Sequence, residues 1–230
     1  MKPNGKYGKE VWERKIKAQN EVGVIRGTTS TRKQVDSQTK EFMKFFDKEI
    51  SPQLKKKGKI LDLGVGPMAR FSIEFSKREY VVTGVDISPT TLEYAKKYAL
   101  KANQTIQLVE DDITSLLKIK ENQDLIFCIE TFFHIPPHLT LKSLKRFTEL
   151  LTPEGLCLIQ FGIKSKLTTK QKFVSIFYWA GHFLKRIFGR GFKVNVSRFT
   201  EKEVNSILNE SGLRIFKKYG QGIYFLKKIK

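Results

Sequence analysis

An open, doubly wound α/β layer is the fold class this sequence predicts, and three observations predict it. From Lys59 onward, short apolar runs alternate with segments of helical periodicity, the texture of strands joined by helical crossovers. Near the C-terminus two apolar runs are separated only by Gly220-Gln221-Gly222, too few residues for a crossover, so that pair must be antiparallel. The 230 residues, 40% hydrophobic and 12% aromatic, suffice for one sizeable core and are too apolar for a disordered chain.

Taken in order, residues 1–54 read as an N-terminal helical extension or cap. A helix is expected over 9–21, with Gly23, Gly27 and residues 28–30 as a link. Thr31-Arg-Lys-Gln34 then has the spacing of a capping box, and Phe42, Met43, Phe45, Phe46 and Ile50 recur at helical intervals, which predicts a helix over 33–50. The layer itself occupies 55–230. Its strands are predicted at 60–63, 80–85, 105–109, 124–129, 156–161, 213–219 and 223–229, the first five parallel. Val81, Val82, Thr83 and Val85 suit a pleated, buried surface. Helices are predicted at 69–76, at 88–102 with Ser88 as cap and Pro89 in the first helical position, at 139–151, and at 200–210 with Gly212 ending it. Thr152-Pro-Glu-Gly155 reads as a turn before the fifth strand. An insert follows that strand over about 163–199.

The net charge of +20 is unevenly placed: residues 1–60 carry +9, residues 61–163 carry −2 and residues 164–230 carry +13. Basic flanks can attract a polyanion such as RNA, an anionic membrane face or an acidic small substrate, or they can be solvated faces of a Lys-rich chain. Cys128 and Cys157 each lie inside an apolar run and read as core thiols. The first 25 residues hold no apolar segment of the signal-peptide kind, and no run approaches 18 apolar residues, so a cytoplasmic protein is expected.

Chemistry concentrates between Ile60 and Ile113. Asp62-Leu-Gly64-Val-Gly66 places a Gly-rich turn after the first strand and before a helix N-terminus, where a Cβ would block a ligand from the backbone. Gly64, Gly66 and Ala69, with Asp86 about 20 residues on, also satisfy the dinucleotide fingerprint. Four features favour another ligand. Asp62 sits where dinucleotide sites keep an apolar residue, and it would repel a pyrophosphate but hold a free amino group. Asp111-Asp112-Ile113 ends the third strand, where it can meet an adenine amine. The Thr152–Gly155 turn and the antiparallel C-terminal pair complete the set.

With these residues the chain resembles the class I S-adenosylmethionine-dependent methyltransferases over about residues 55–229, and Glu130-Thr-Phe-Phe-His134-Ile-Pro136 is similar to the fourth-strand exit of their small-molecule branch. The resemblance implies a Rossmann-like methyltransferase sheet, S-adenosyl-L-methionine as cofactor, S-adenosyl-L-homocysteine as product, and a small-molecule acceptor that is hydrophobic, lipid-like or anionic. It implies that Gly64 and Gly66 admit the methionine part, Asp62 orients its amino group, Asp86 accepts the ribose hydroxyls and Ile87 packs on the adenine. Asp112 and the Ile113 backbone would read the adenine edge, and Glu130 is counted with the cofactor-binding set. The family commonly has a third Gly where this chain has Met68, so a narrowed pocket is expected there.

Methyl transfer needs alignment, exclusion of water and sometimes a base. His134, just past the fourth strand, is the candidate base or acceptor-orienting residue, weighed against a structural imidazole; His138 and His182 rank below it. The His and Cys residues show no metal-ligand spacing. In the insert, Phe173, Ile176, Phe177, Ala180, Leu184 and Ile187 share one helical face, and Lys185, Arg186 and Arg190 follow. Residues 173–192 are therefore expected to form a lid, or else an interfacial helix giving peripheral contact with anionic membrane. The alternatives to a small-molecule enzyme are RNA methylation, a basic cofactor-binding module without transfer activity, and, most distantly, an NAD-dependent reductase. No Asn-Pro-Pro-Tyr-like exit or RNA-binding module supports the RNA reading, which rests on flanking charge alone.

Overall fold

The computed structural model describes residues 4–19, 21–26, 31–164, 196–220 and 222–229. Seven strands form one sheet: β1 (Lys59–Leu63), β2 (Val81–Asp86), β3 (Gln107–Glu110), β4 (Gln123–Cys128), β5 (Leu151–Gln160), β6 (Leu213–Tyr219) and β7 (Ile223–Lys228). Their order is β3-β2-β1-β4-β5-β7-β6. The first five strands run parallel, and β7 pairs antiparallel with both β5 and β6. This is the expected doubly wound layer with its C-terminal hairpin, and the hairpin has folded back so that its second strand sits against β5. A dinucleotide-binding sheet would instead continue parallel to its edge.

Helices cover both faces, which is why the central strands read as unbroken apolar runs. The period of two along each strand divides the core. Leu61, Leu63, Ile126, Cys128, Cys157 and Ile159 face one side, where α6 (Pro137–Leu150) and α7 (Glu201–Glu210) pack. Ile60, Leu125, Phe127, Leu156 and Leu158 face the other, against α3 (Arg32–Glu49) and α4 (Arg70–Ser76). On that second side α5 (Pro89–Lys101) joins through Ala95 and Ala99, which meet Val65, Ala69 and Ile73. Both thiols are buried and free, and burial pushes each well above the ordinary cysteine range.

The capping box at Thr31 forms as its spacing predicts: the Gln34 N–H donates to the Thr31 hydroxyl at 3.3 Å, and the Thr31 N–H donates to the Gln34 side-chain oxygen at 2.8 Å. A second one starts α7, where Thr200 and Glu203 exchange the same two bonds at 3.2 and 2.6 Å. Two expectations are corrected. Gly23, read as part of a link, and Glu21, read as the end of the preceding helix, both belong to α2 (Glu21–Arg26), with Gly23 buried inside it and Glu21 in the first turn, where the helix dipole favours an acid. Thr152–Gly155 is not a turn ahead of β5 but an interruption within it. Pro153 has no N–H for the ladder, so the chain bulges and the pairing resumes from Gln123↔Leu151 to Leu125↔Leu156.

The flanks of the insert are joined at the sheet's carboxyl end. Ile163 bridges to Phe199, Phe199 donates to the Gly162 carbonyl at 2.8 Å, and Ser197 donates to the Phe133 carbonyl at 2.7 Å. The expected lid or membrane helix over 173–192, and His182 with it, lie outside the described residues. Among the described residues no helix is long and apolar enough to cross a membrane.

Phe46 anchors α3 to the layer, fully buried between Phe75 at 4.9 Å and Tyr80 at 5.9 Å between ring centroids. Phe46→Ala leaves a cavity that rigid strands and a capped helix cannot close. It is expected to destabilise the fold by about 3–5 kcal/mol, measured by urea unfolding.

Candidate functional site

Strand order reverses between β1 and β4, and in an open α/β sheet a crevice forms where the two flanking connections part. Both connections leave the carboxyl ends of their strands here. The β1 exit turns at Gly64, whose φ of +76° a side chain rarely adopts. The β4 exit turns at Glu130, also at positive φ, and enters a short 3-10 turn over Phe132–His134. The two loops touch: a Cβ on Gly64 would lie 2.2 Å from the Thr131 hydroxyl oxygen. Gly66 is different, because a Cβ there would meet nothing nearer than the Gly64 carbonyl oxygen at 3.9 Å. The space above Gly66 is open cavity.

That cavity measures about 470 Å³ and takes its walls from the carboxyl ends of β1 to β5, from the first turns of α4, α5 and α6, and from α1 (Asn4–Ala18) and α2. Asp62, Gly64, Gly66, Asp86, Ile87, Asp112, Ile113, Glu130 and His134, each singled out from sequence, all line it. Asp62 closes β1 at 3% exposure, accepting a 2.6 Å hydrogen bond from Ser72 on α4. Burial pushes its carboxyl up to about 6, the nearby Asp86 charge adds to this, and Ser72 and Arg70 pull the other way. Asp86 closes β2 and is also pushed up to about 6 by burial, against the backbone N–H groups of Ser88 at 3.0 Å and Gly66 at 3.3 Å. Two carboxylates so placed favour a ligand that brings positive charge or hydroxyl donors.

The third-strand acids separate by role. Asp111 is buried and spent on structure, accepting from the Asp112 N–H at 2.8 Å and the Lys118 N–H at 2.7 Å. Asp112 turns into the cavity, with one oxygen holding the Thr114 N–H at 2.8 Å. Glu130 is paired with Arg70 at 2.6 Å, and Arg70 also donates to the Thr39 hydroxyl at 3.1 Å. Met68, expected to narrow the pocket, is 2% exposed and does not line it. The residue in left-handed geometry is its neighbour Ala69, at the start of α4. His138 is exposed on α6 and takes no part in the cavity.

Sequence reasoning expected an N-terminal cap but named none of the residues that build it. Gly8, Trp12 and Lys15 share one face of α1, and that face, with Val24 and Ile25 of α2, closes the crevice from above. Glu13 fixes α1 there: its carboxylate accepts from the Ser88 hydroxyl at 2.6 Å, the Thr90 hydroxyl at 2.7 Å and the Thr90 N–H at 3.2 Å. Burial opposes ionisation, but these bonds outweigh it and hold the group below the usual carboxylate range. Lys9 pairs with Glu110 at the end of β3. The Trp12 ring meets His134 edge-on at 5.1 Å, so the cover reaches the β4 exit as well. The spacing of Gly8, Trp12 and Lys15 could have marked the face; nothing local marks Glu13 as a clamp on residues 75 and 77 positions away.

Comparison with known proteins agrees with this geometry. Residues 60–155 match the family described as methyltransferase domain. A ubiquinone biosynthesis O-methyltransferase of Coxiella burnetii is 33% identical over 109 residues, which is 47% of this chain and 45% of that protein, so the match spans under half the length of the curated relative. The fold is shared with the magnesium protoporphyrin IX methyltransferase from Synechocystis PCC 6803 with bound SAH, at TM-score 0.67 and 14% identity over 97% of this chain and 98% of the other. It is shared also with the CcbJ methyltransferase from Streptomyces caelestis, at TM-score 0.65 and 12% identity over 96% and 98%. The acids at three strand tips and the strand order with its reversed β7 accompany the match over residues 60–155, and in these features the chain is similar to the class I S-adenosylmethionine-dependent methyltransferases.

Proposed function

We propose that the protein transfers a methyl group from S-adenosyl-L-methionine to a small-molecule acceptor. The observation that carries this reading is that Asp62, Asp86 and Asp112, from three successive strands in the sheet, face one covered cavity whose floor is Gly66. The donor set fits the cofactor. Asp62 offers a buried carboxylate for an ammonium group, and Asp86, held from behind by two backbone N–H groups, offers oxygens for paired hydroxyls. Ile87 and Ile113 are apolar walls for a purine, with Asp112 at its edge. Glu130 stays at the cofactor side, holding Arg70 in place.

When bound, S-adenosyl-L-methionine supplies an electrophilic methyl group: an acceptor lone pair forms the new bond and the carbon–sulfur pair returns to sulfur. The protein's share is alignment, exclusion of water by α1 and α2, and removal of the acceptor proton. His134 lines the cavity beside Trp12 and Phe133 and takes the base role in this proposal. The Met68 side chain lies away from the cavity lining, which removes the reason for reading the chain as a binding module without turnover. A cytoplasmic site of action goes with a small, soluble acceptor.

Calorimetry with S-adenosyl-L-methionine tests the first half. Binding is expected for the native protein and a loss of about ten-fold or more in affinity for Asp86→Ala; no heat with the native protein overturns the proposal. His134→Asn is expected to lower transfer of labelled methyl into a metabolite extract by about 10²–10⁴-fold with cofactor affinity kept. Unchanged transfer by this variant would remove His134 from the base role.

The raised Asp62 carboxyl gives a separate check with its sign fixed by linkage. Its folded value near 6 lies above the ordinary 3.8, so between about pH 4 and 6 the folded chain holds more protons than the unfolded one. Its contribution to stability therefore falls as pH rises through that window and is constant above it. Asp62→Asn should match the ligand-free native protein in melting temperature near pH 4 and exceed it at pH 7, while binding the cofactor more weakly. A constant difference across the range would contradict the assignment of the raised carboxyl to Asp62.

A further inference from the structure

Two cationic side chains are among the residues that line the cavity, and they are not equivalent. Arg70 is committed, with its guanidinium held by Glu130 at 2.6 Å and Thr39 at 3.1 Å. Lys15 sits half-buried on the inner face of α1, donates to the Val24 carbonyl at 3.0 Å, and lies over the Trp12 ring at 4.6 Å from its centroid. No carboxylate among the described residues pairs with it. A desolvated ammonium held by one neutral carbonyl and a ring face is an under-compensated charge, and burial lowers its proton affinity accordingly.

Trp12 connects this ammonium to the proposed base. Its ring lies under Lys15 at 4.6 Å and meets His134 edge-on at 5.1 Å. Lys15 and His134 are therefore separated by no more than these two ring-scale distances laid end to end, about the reach of one substituted aromatic ring. The wall beside them is apolar or aromatic: Val24, Ile25, Phe133 and Ile135. Such a recess suits a flat, apolar body with a negative group at one end and the methyl-accepting atom at the other.

We propose that Lys15 is a specificity-determining residue, and that the acceptor is a planar aromatic anion whose carboxylate pairs with Lys15 while its hydroxyl faces His134. This rests on the methyl-transfer reading of the same cavity. The balance of the step is simple: the hydroxyl proton passes to His134, the oxygen lone pair forms the bond to the methyl carbon as the carbon–sulfur bond breaks and its pair returns to sulfur, and the carboxylate stays ionised on Lys15 throughout. The competing source of a carboxylate is the cofactor's own amino-acid end, and the test separates the two.

The native protein and Lys15→Met, each saturated with S-adenosyl-L-homocysteine, are titrated with 4-hydroxybenzoate and 4-hydroxycinnamate and with the corresponding uncharged amides. The native protein is expected to bind at least one carboxylate about ten-fold or more tightly than its amide, and the variant is expected to lose that preference while holding S-adenosyl-L-homocysteine as before. Retained cofactor binding also shows that the variant is folded. Carboxylate and amide binding alike, no binding of any of the four, or a preference that survives in the variant overturns the proposal. So does a variant that loses affinity for S-adenosyl-L-homocysteine but not for 5′-methylthioadenosine, since Lys15 would then serve the cofactor's carboxylate. Failure of the parent reading looks different: the native protein itself would not bind S-adenosyl-L-homocysteine.

Discussion

The contact of Gly64 with Thr131 is the constraint on which the site depends. Neighbouring parallel strands hold their exits a few ångströms apart, and two loops leaving in opposite directions must either collide or open a crevice between them. Here the first loop has no side chain at the point of closest approach, so the second can lie against it and carry Glu130 and His134 to the rim of the same cavity. Everything chemical follows from that proximity. Asp62 sits in the strand that feeds one loop, the imidazole in the other loop, and the distance between cofactor and acceptor sides is set by backbone packing.

Placing carboxylates in such a crevice costs stability, and the fold offsets the cost locally. Asp86 is supported by backbone N–H groups at the start of α5 and at Gly66, and Asp62 by the Ser72 hydroxyl, yet both remain short of full compensation. A site that is electrostatically incomplete without its ligand binds that ligand with correspondingly greater preference. The same logic applies with opposite sign on the cover, where Lys15 has no counter-charge among the described residues.

Most of the sheet was legible because its residues carry local signals. Apolar runs at β1, β4 and β5 read as buried strands, Ser88-Pro89 as a helix start, and Thr31 announces its capping box within four residues. The acids at the strand tips were legible for the same reason: each follows a recognisable strand by a fixed step. What escaped reading depends on partners far away or on context that overrides composition. Gly23 suggested a link because glycine is a poor helix former, but it lies buried inside α2. Pro153 and Gly155 suggested a turn, although β4 recaptures the chain three residues later. The cap was expected from residues 1–54, but its working residues were not, because Trp12, Glu13 and Lys15 gain meaning only from His134, Ser88 and the cavity between them.

Ser88 illustrates how the layer and its cover are related. The oxygen of its hydroxyl receives the Thr91 N–H and starts α5, whereas the hydrogen goes to Glu13. The two tasks draw on different halves of one group, so α5 keeps its beginning whether or not α1 is seated. Dependence at this residue thus runs in a single direction: α5 is capped by Ser88 alone, whereas the bonds that seat α1 need Ser88 and Thr90 where α5 holds them.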